Sequence, residues 1–241
     1  IHRELLQMQN KNNCEVVILM VSDDEACEEV FTGTNGLFSS QNTNLIVINM
    51  STITPKGSVH YSSQCLERGI KYIEAPVSGT LPHARNKNLI IFAAGDQNTF
   101  SHVEPILNLI GRKISYFGVV GNAARVKLII NGILAVQTAV LAEGLNIANK
   151  FEIDSSILLE IINDSALGNI ISKVKGSNMI EGSHQPLFRF KYMIKDLKYG
   201  LEEFQSRDIE TPLISRALET YEKGQSTEAE SDFSAIMNVY Q

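Results

Sequence analysis

The chain has 241 residues, of which 44% are hydrophobic and 20% charged, and its formal net charge is −6. That balance excludes a disordered or low-complexity chain, and with no basic run it argues against a nucleic-acid binder. The three cysteines (Cys14, Cys27, Cys65) and five scattered histidines show no metal or redox spacing. No uninterrupted apolar run reaches the ~18 residues of a membrane span, so a cytoplasmic protein without metal or membrane partner is expected.

From His2 to Asn10 the pattern reads as the end of a helix. Glu15–Val21 (EVVILMV) is a short apolar run rich in β-branched residues, the pattern of a buried parallel strand. Ser22-Asp23-Asp24 can cap the short helix that follows, to Phe31. Asn44–Met50 (NLIVINM) repeats the buried-strand pattern. Ser51-Thr52 is the expected cap of the next helix, which has Pro55 in its first turn and ends at Gly69. Lys71–Val77 and Leu89–Ala94 are strands, Asn98–Ile110 is a helix, and Lys113–Phe117 is the last strand. Alternation of this kind predicts an α/β Rossmann-type, mostly parallel sheet with helices on its faces.

After Gly121 strand signals cease. Gly121–Asp154 carries apolar residues at helical spacing almost all round, which predicts one long buried helix. Helices are then expected over 155–163, 169–180, 190–207, 211–223 and 232–240. The domain boundary is therefore placed at 120/121, with an α/β part over 1–120 and an all-α part over 121–241 that starts with an interdomain helix. The sequence holds no G-x-G-x-x-G, although such sheets usually begin with that pyrophosphate turn. Because the chain also starts at Ile1, the expectation is that an N-terminal piece of the dinucleotide-binding domain is missing.

Near the start of the long helix, Lys127 and Asn131 are four residues apart and share a face. A lysine among Val126, Leu128, Ile129 and Ile130 either snorkels along its methylenes or is held for chemistry. Ser78-Gly79-Thr80 reads as a turn after a strand that could also bind an anion.

Four motifs in order decide between these readings. EAPVSGT (Glu74–Thr80) resembles the substrate-binding signature of the β-hydroxyacid dehydrogenase family, and GNAARVKLIINGIL (Gly121–Leu134) resembles its catalytic-helix motif G-x-x-x-x-x-K-x-x-x-N. KDL (Lys195–Leu197) and DFSAI (Asp232–Ile236) resemble its C-terminal signatures. LIIFAAGD (Leu89–Asp96) and NMIEGS (Asn178–Ser183) are most similar to the branch of the glyoxylate/succinic semialdehyde reductases and N-PAC, with 3-hydroxyisobutyrate dehydrogenase more distant. The resemblance implies that Lys127 is catalytic and Asn131 orients the substrate, while Ser78, Gly79 and Thr80 hold its carboxylate. It assigns Met20, Val21, Thr52, Phe188, Lys195 and Asp196 to the NADP or NAD cofactor. Ile130 stands where many members carry a further asparagine.

Hydride transfer to a carbonyl leaves charge on oxygen, which an ammonium within reach stabilises and protonates. The expected function is thus NAD(P)-dependent reduction of a small carboxylate-bearing aldehyde or oxo acid, or oxidation of a 3-hydroxy acid, in a homo-dimer or homo-tetramer. Strand-end residues and Lys127 would share a crevice between the two halves. The alternative is a non-enzymatic, N-PAC-like oligomerisation scaffold with chromatin, and so nucleic acid, as partner.

Overall fold

A computed structural model describes residues 14–240. The helix expected over His2–Asn10 lies outside them. The chain divides into two compact units, Ile1–Lys127 and Leu128–Gln241.

Unit 1 is built on β1 (Val16–Leu19), β2 (Ile46–Asn49), β3 (Lys71–Glu74), β4 (Val77–Ser78), β5 (Leu89–Gly95) and β6 (Gly111–Tyr116). β1, β2 and β3 pair in parallel. β2 is buried at all four residues because helices cover both faces of the sheet. Its alternating side chains go to different sides. Val47 joins Val17, Phe31, Tyr61 and Tyr72 under α1 (Asp24–Thr32) and α2 (Pro55–Glu67). Ile46 and Ile48 join Ile73, Ile91, Phe100 and Leu107 under α4 (Gln97–Leu107). Phe31 is fully buried and stacks on Tyr61 at 4.5 Å. Burial of one such side chain stabilises by about 1.5–3 kcal/mol.

Three local expectations are corrected. The run Lys71–Val77 is two strands, because Pro76 has no N–H to donate. Its carbonyl still accepts from Phe92 at 2.9 Å, so the run continues along β5. The direction of that pairing also differs: β3 and β4 both lie antiparallel to β5, and only β6 runs parallel to it. The sheet is parallel at one end and mixed at the other. Thirdly, α2 is capped by Thr54, whose Oγ1 accepts from the Gly57 N–H at 2.9 Å, and not by Ser51 or Thr52. A short helix, α3 (Leu81–Arg85), was not expected.

Unit 2 is helical. α5 (Asn122–Lys150) starts in unit 1 and is followed by α6 (Ser155–Asp164), α7 (Ile170–Glu181), α8 (Phe190–Gln205), α9 (Pro212–Lys223) and α10 (Gln225–Glu228). The segment expected as a last helix, 232–240, is a 3₁₀ helix over Phe233–Val239, capped by Asp232. Leu145, Met179, Phe190, Met193, Tyr221 and Ile236 form the core. At Gly176 a Cβ would lie 2.4 Å from Leu159 Cδ1, so glycine lets α7 approach α6 closely.

α5 is not buried all round as its composition suggested. Ile129, Ile133, Val140 and Ile147 are 45%, 51%, 64% and 49% exposed and form one open apolar face. By length and composition α5 alone among the described helices could cross a membrane, although polar residues interrupt it. Half of its most apolar stretch is buried within the protein, as in a core helix.

Candidate active site

In unit 1 the candidate residues stand past strand ends. Met20 follows β1 and is 54% exposed. Val21 donates its N–H to Ser51 Oγ at 2.9 Å, which ties the end of β1 to the end of β2. Ser51 is held in turn by Asn49, whose Oδ1 accepts the Ser51 N–H at 3.0 Å. Thr52 follows, partly buried, and the capping duty expected of it belongs to Thr54.

Ser78 ends β4, and Gly79 and Thr80 follow it. Gly79 has φ +139°, and a Cβ there would meet Leu89 Cδ2 at 2.8 Å. Only glycine accepts that backbone without strain. Thr80 has a partner the sequence reading missed. Its N–H donates to His83 Nδ1 at 3.2 Å, and its Oγ1 lies 3.0 Å from the same nitrogen. The signal was present: a threonine three residues before a polar side chain is the spacing of a capping box, here with histidine in the third helical position.

Lys127 stands in the second turn of α5, half-buried. One turn on, Asn131 is 1% exposed, and its Nδ2 donates to Asp196 Oδ2 at 2.6 Å. Lys195 Nζ lies 2.9 Å from the other oxygen, Asp196 Oδ1, and 4.7 Å from the Tyr199 ring centroid. A solvated surface pair was the plain alternative for Lys195-Asp196. The side chains are 15% and 2% exposed, so it is a buried pair. α8 thus joins Asn131, Lys195 and Asp196 in one network. Charge-assisted bonds of this kind are the stronger ones, and the Asp196 carboxylate sets which way the Asn131 amide faces.

Phe188 belongs to a second network. Its ring packs on Phe233 at 5.7 Å. Asp232 Oδ2 accepts the N–H groups of Leu187 and Phe188, at 3.0 and 3.2 Å. Asp232 Oδ1 accepts from Lys175 Nζ at 2.7 Å and from the Ser234 N–H at 3.1 Å. Burial raises the Asp232 pKa, but the Lys175 ammonium and these N–H groups outweigh it and hold the carboxyl below its usual range. Lys175 was not singled out from sequence, because a lysine on a helix reads as a surface residue unless its partner is known.

Comparison with known proteins gives this geometry a context. Residues 6–118 match the family model for the NAD binding domain of 6-phosphogluconate dehydrogenase. Residues 121–240 match that for the NAD-binding region of NADP-dependent 3-hydroxyisobutyrate dehydrogenase. Glyoxylate/succinic semialdehyde reductase 1 of Arabidopsis thaliana is 32% identical over 94% of this chain and 78% of its own length. Its chloroplastic counterpart, reductase 2, is 30% identical over 94% and 63%. The cytokine-like nuclear factor N-PAC of Xenopus tropicalis is 29% identical over 95% of this chain and 43% of its own. The chain therefore spans less than two thirds of the last two relatives. A structure of Mycobacterium tuberculosis 3-hydroxyisobutyrate dehydrogenase with L-serine superposes with a TM-score of 0.83 at 25% identity, over 97% of this chain and 81% of that one. Motifs, fold and relatives agree: this chain belongs to the β-hydroxyacid dehydrogenase family.

Proposed function

We propose that this chain carries the chemistry of an NAD(P)-dependent reductase for small aldehydes or oxo acids that carry a carboxylate, of the glyoxylate or succinic semialdehyde type. The observation that carries this reading is the buried Asn131–Asp196–Lys195 network, one helical turn from Lys127. A scaffold has no need of a carboxylate buried to orient an amide beside a lysine, and an uncompensated buried charge is costly.

The residues present fit the nicotinamide end of the cofactor. Met20 offers an exposed apolar surface past β1, and Thr52 offers a hydroxyl past β2. The glycine turn that cradles a pyrophosphate has no counterpart in the 241 residues. Bound NAD(P)H supplies the hydride. Lys127 would stabilise the negative charge that grows on the carbonyl oxygen and deliver the proton. Asn131, oriented by Asp196, would fix the substrate beside Lys127. Ser78, Gly79 and Thr80 would hold the carboxylate, with the Ser78 hydroxyl and Gly79 N–H as donors and Thr80, tied to His83, fixing the turn. Phe188 and Lys195 would close over the cofactor.

The exposed isoleucines and valine of α5, with Phe151, Ile157 and Ile161 close by in sequence and also open, support a homo-dimer or homo-tetramer. Cys27 and Cys65 are buried thiols outside any disulfide, in keeping with a reducing compartment such as the cytoplasm. The test is turnover: full-length protein should oxidise NADPH or NADH when glyoxylate or succinic semialdehyde is added. Absence of turnover with both, and with a 3-hydroxy acid in the reverse direction, would contradict the proposal and favour the scaffold reading.

A further inference from the structure

Glu74 ends β3 and opens the run that leads to Ser78-Gly79-Thr80. It is 2% exposed, yet both carboxylate oxygens are engaged. Oε2 accepts the Gly121 N–H at 2.5 Å, and Oε1 accepts the Ala124 N–H. The Gly121 amide lies just before α5 and the Ala124 amide in its first turn, where N–H groups have no partner within the helix. Helices are usually capped by a serine, threonine or aspartate next to them in sequence. Here the residue before the helix is Gly121, at φ +97°, with no side chain to offer. The cap comes instead from a strand, 47 and 50 residues away in the chain. A carboxylate at a helix N-terminus also complements the positive end of the helix dipole. Arg125 lies in the same turn and its Nη1 donates to Asn122 Oδ1 at 3.1 Å, while Ser58 on α2 and Tyr72 on β3 complete the surroundings.

We infer that Glu74 is a positioning residue for Lys127: it pins the first turn of α5 to the strand run carrying Ser78–Thr80, and so fixes where the ammonium one turn later stands. A buried carboxylate is a costly way to cap a helix. The carboxylate has a further use only if the position of that turn matters, and Lys127 is what the turn carries. This inference rests on the proposed role of Lys127.

The test compares full-length Glu74→Gln and Glu74→Asp with the parent. Glutamine keeps the shape but turns one acceptor into a donor that faces an N–H. Hydrogen exchange at Gly121 and Ala124–Lys127 should rise about tenfold or more in Glu74→Gln, with the β2 amides unchanged. Its kcat should fall about tenfold or more with KM nearly constant, since misplacing a reacting group costs rate rather than binding. Glu74→Asp, which keeps both acceptors, should recover part of each. Unchanged exchange at the helix start, uniformly faster exchange through the sheet, or normal kcat despite a loosened first turn would each overturn the inference. An inactive parent would overturn the reductase reading instead, while the exchange result would still report on the cap.

Discussion

Lys175→Met tests the deepest ion pair in unit 2. Lys175 Nζ lies 2.7 Å from Asp232 Oδ1, with side chains 4% and 1% exposed. Methionine fills similar volume but leaves the Asp232 charge with only the N–H groups of Leu187, Phe188 and Ser234. Removing one partner of a buried pair costs about 3–5 kcal/mol. The three remaining N–H donors place this case near the lower end, about 3 kcal/mol, which lowers Tm by roughly 6–12 °C in a chain of this size. The sign with pH follows from the direction of the Asp232 shift. Its pKa is held below the ordinary 3.8, so its contribution is present above that value and is lost as pH falls through the folded pKa. Thermal unfolding between pH 7 and pH 3 should therefore show an acid loss in the parent that is smaller in Lys175→Met. Adding Asp232→Asn to Lys175→Met removes the stranded charge and should restore part of the stability. A Tm change under about 2 °C in Lys175→Met, or a double variant less stable than the single one, would show that no buried charge is stranded at Asp232.

Thr54→Ala should cost about 1 kcal/mol of stability, because the α2 cap is lost, with KM for the cofactor nearly unchanged, whereas Thr52→Ala should raise KM for the cofactor; thermal melts and steady-state kinetics check both. Gly79→Ala should destabilise by about 1–3 kcal/mol and raise KM for the carboxylate substrate, since φ +139° and the Leu89 contact both oppose a Cβ; normal melting with normal KM would contradict this. Glu74 supplies a pH test of its own. Burial lifts its pKa from 4.5 to about 7, against the pull of the Gly121 and Ala124 amides and the Arg125 charge. The folded chain then binds a proton that the unfolded chain releases, so stability should fall as pH rises through that window. Glu74→Gln should flatten that slope in denaturant titrations at successive pH values.

Much of unit 1 was legible because buried strands announce themselves. Residues 15–21 and 44–50 are apolar runs with β-branched residues, and both became strands. The reversal of β5 was not legible, since the apolar run Leu89–Ala94 states burial and not which neighbour it pairs with or in which direction. The cap of α2 was misplaced because Ser51, Thr52 and Thr54 are all cap-forming types. Asp24 decides among them by accepting the Thr54 N–H and hydroxyl at 3.0 and 2.7 Å, a contact 30 residues distant in sequence. Similarly, α5 is apolar nearly all round, and its composition alone did not tell a buried face from one left open. The motifs pointed to Lys127, Asn131, Lys195 and Asp196 one by one. The bond between Asn131 and Asp196 joins residues 65 apart, and neither side carries a mark of the other.

If the Lys127 ammonium does the acid chemistry, the kcat of full-length Lys127→Met, measured beside titration of cofactor binding, will show it. Loss of about a hundredfold or more in kcat with cofactor affinity unchanged is the expected result. A kcat within a few-fold of the parent would contradict it.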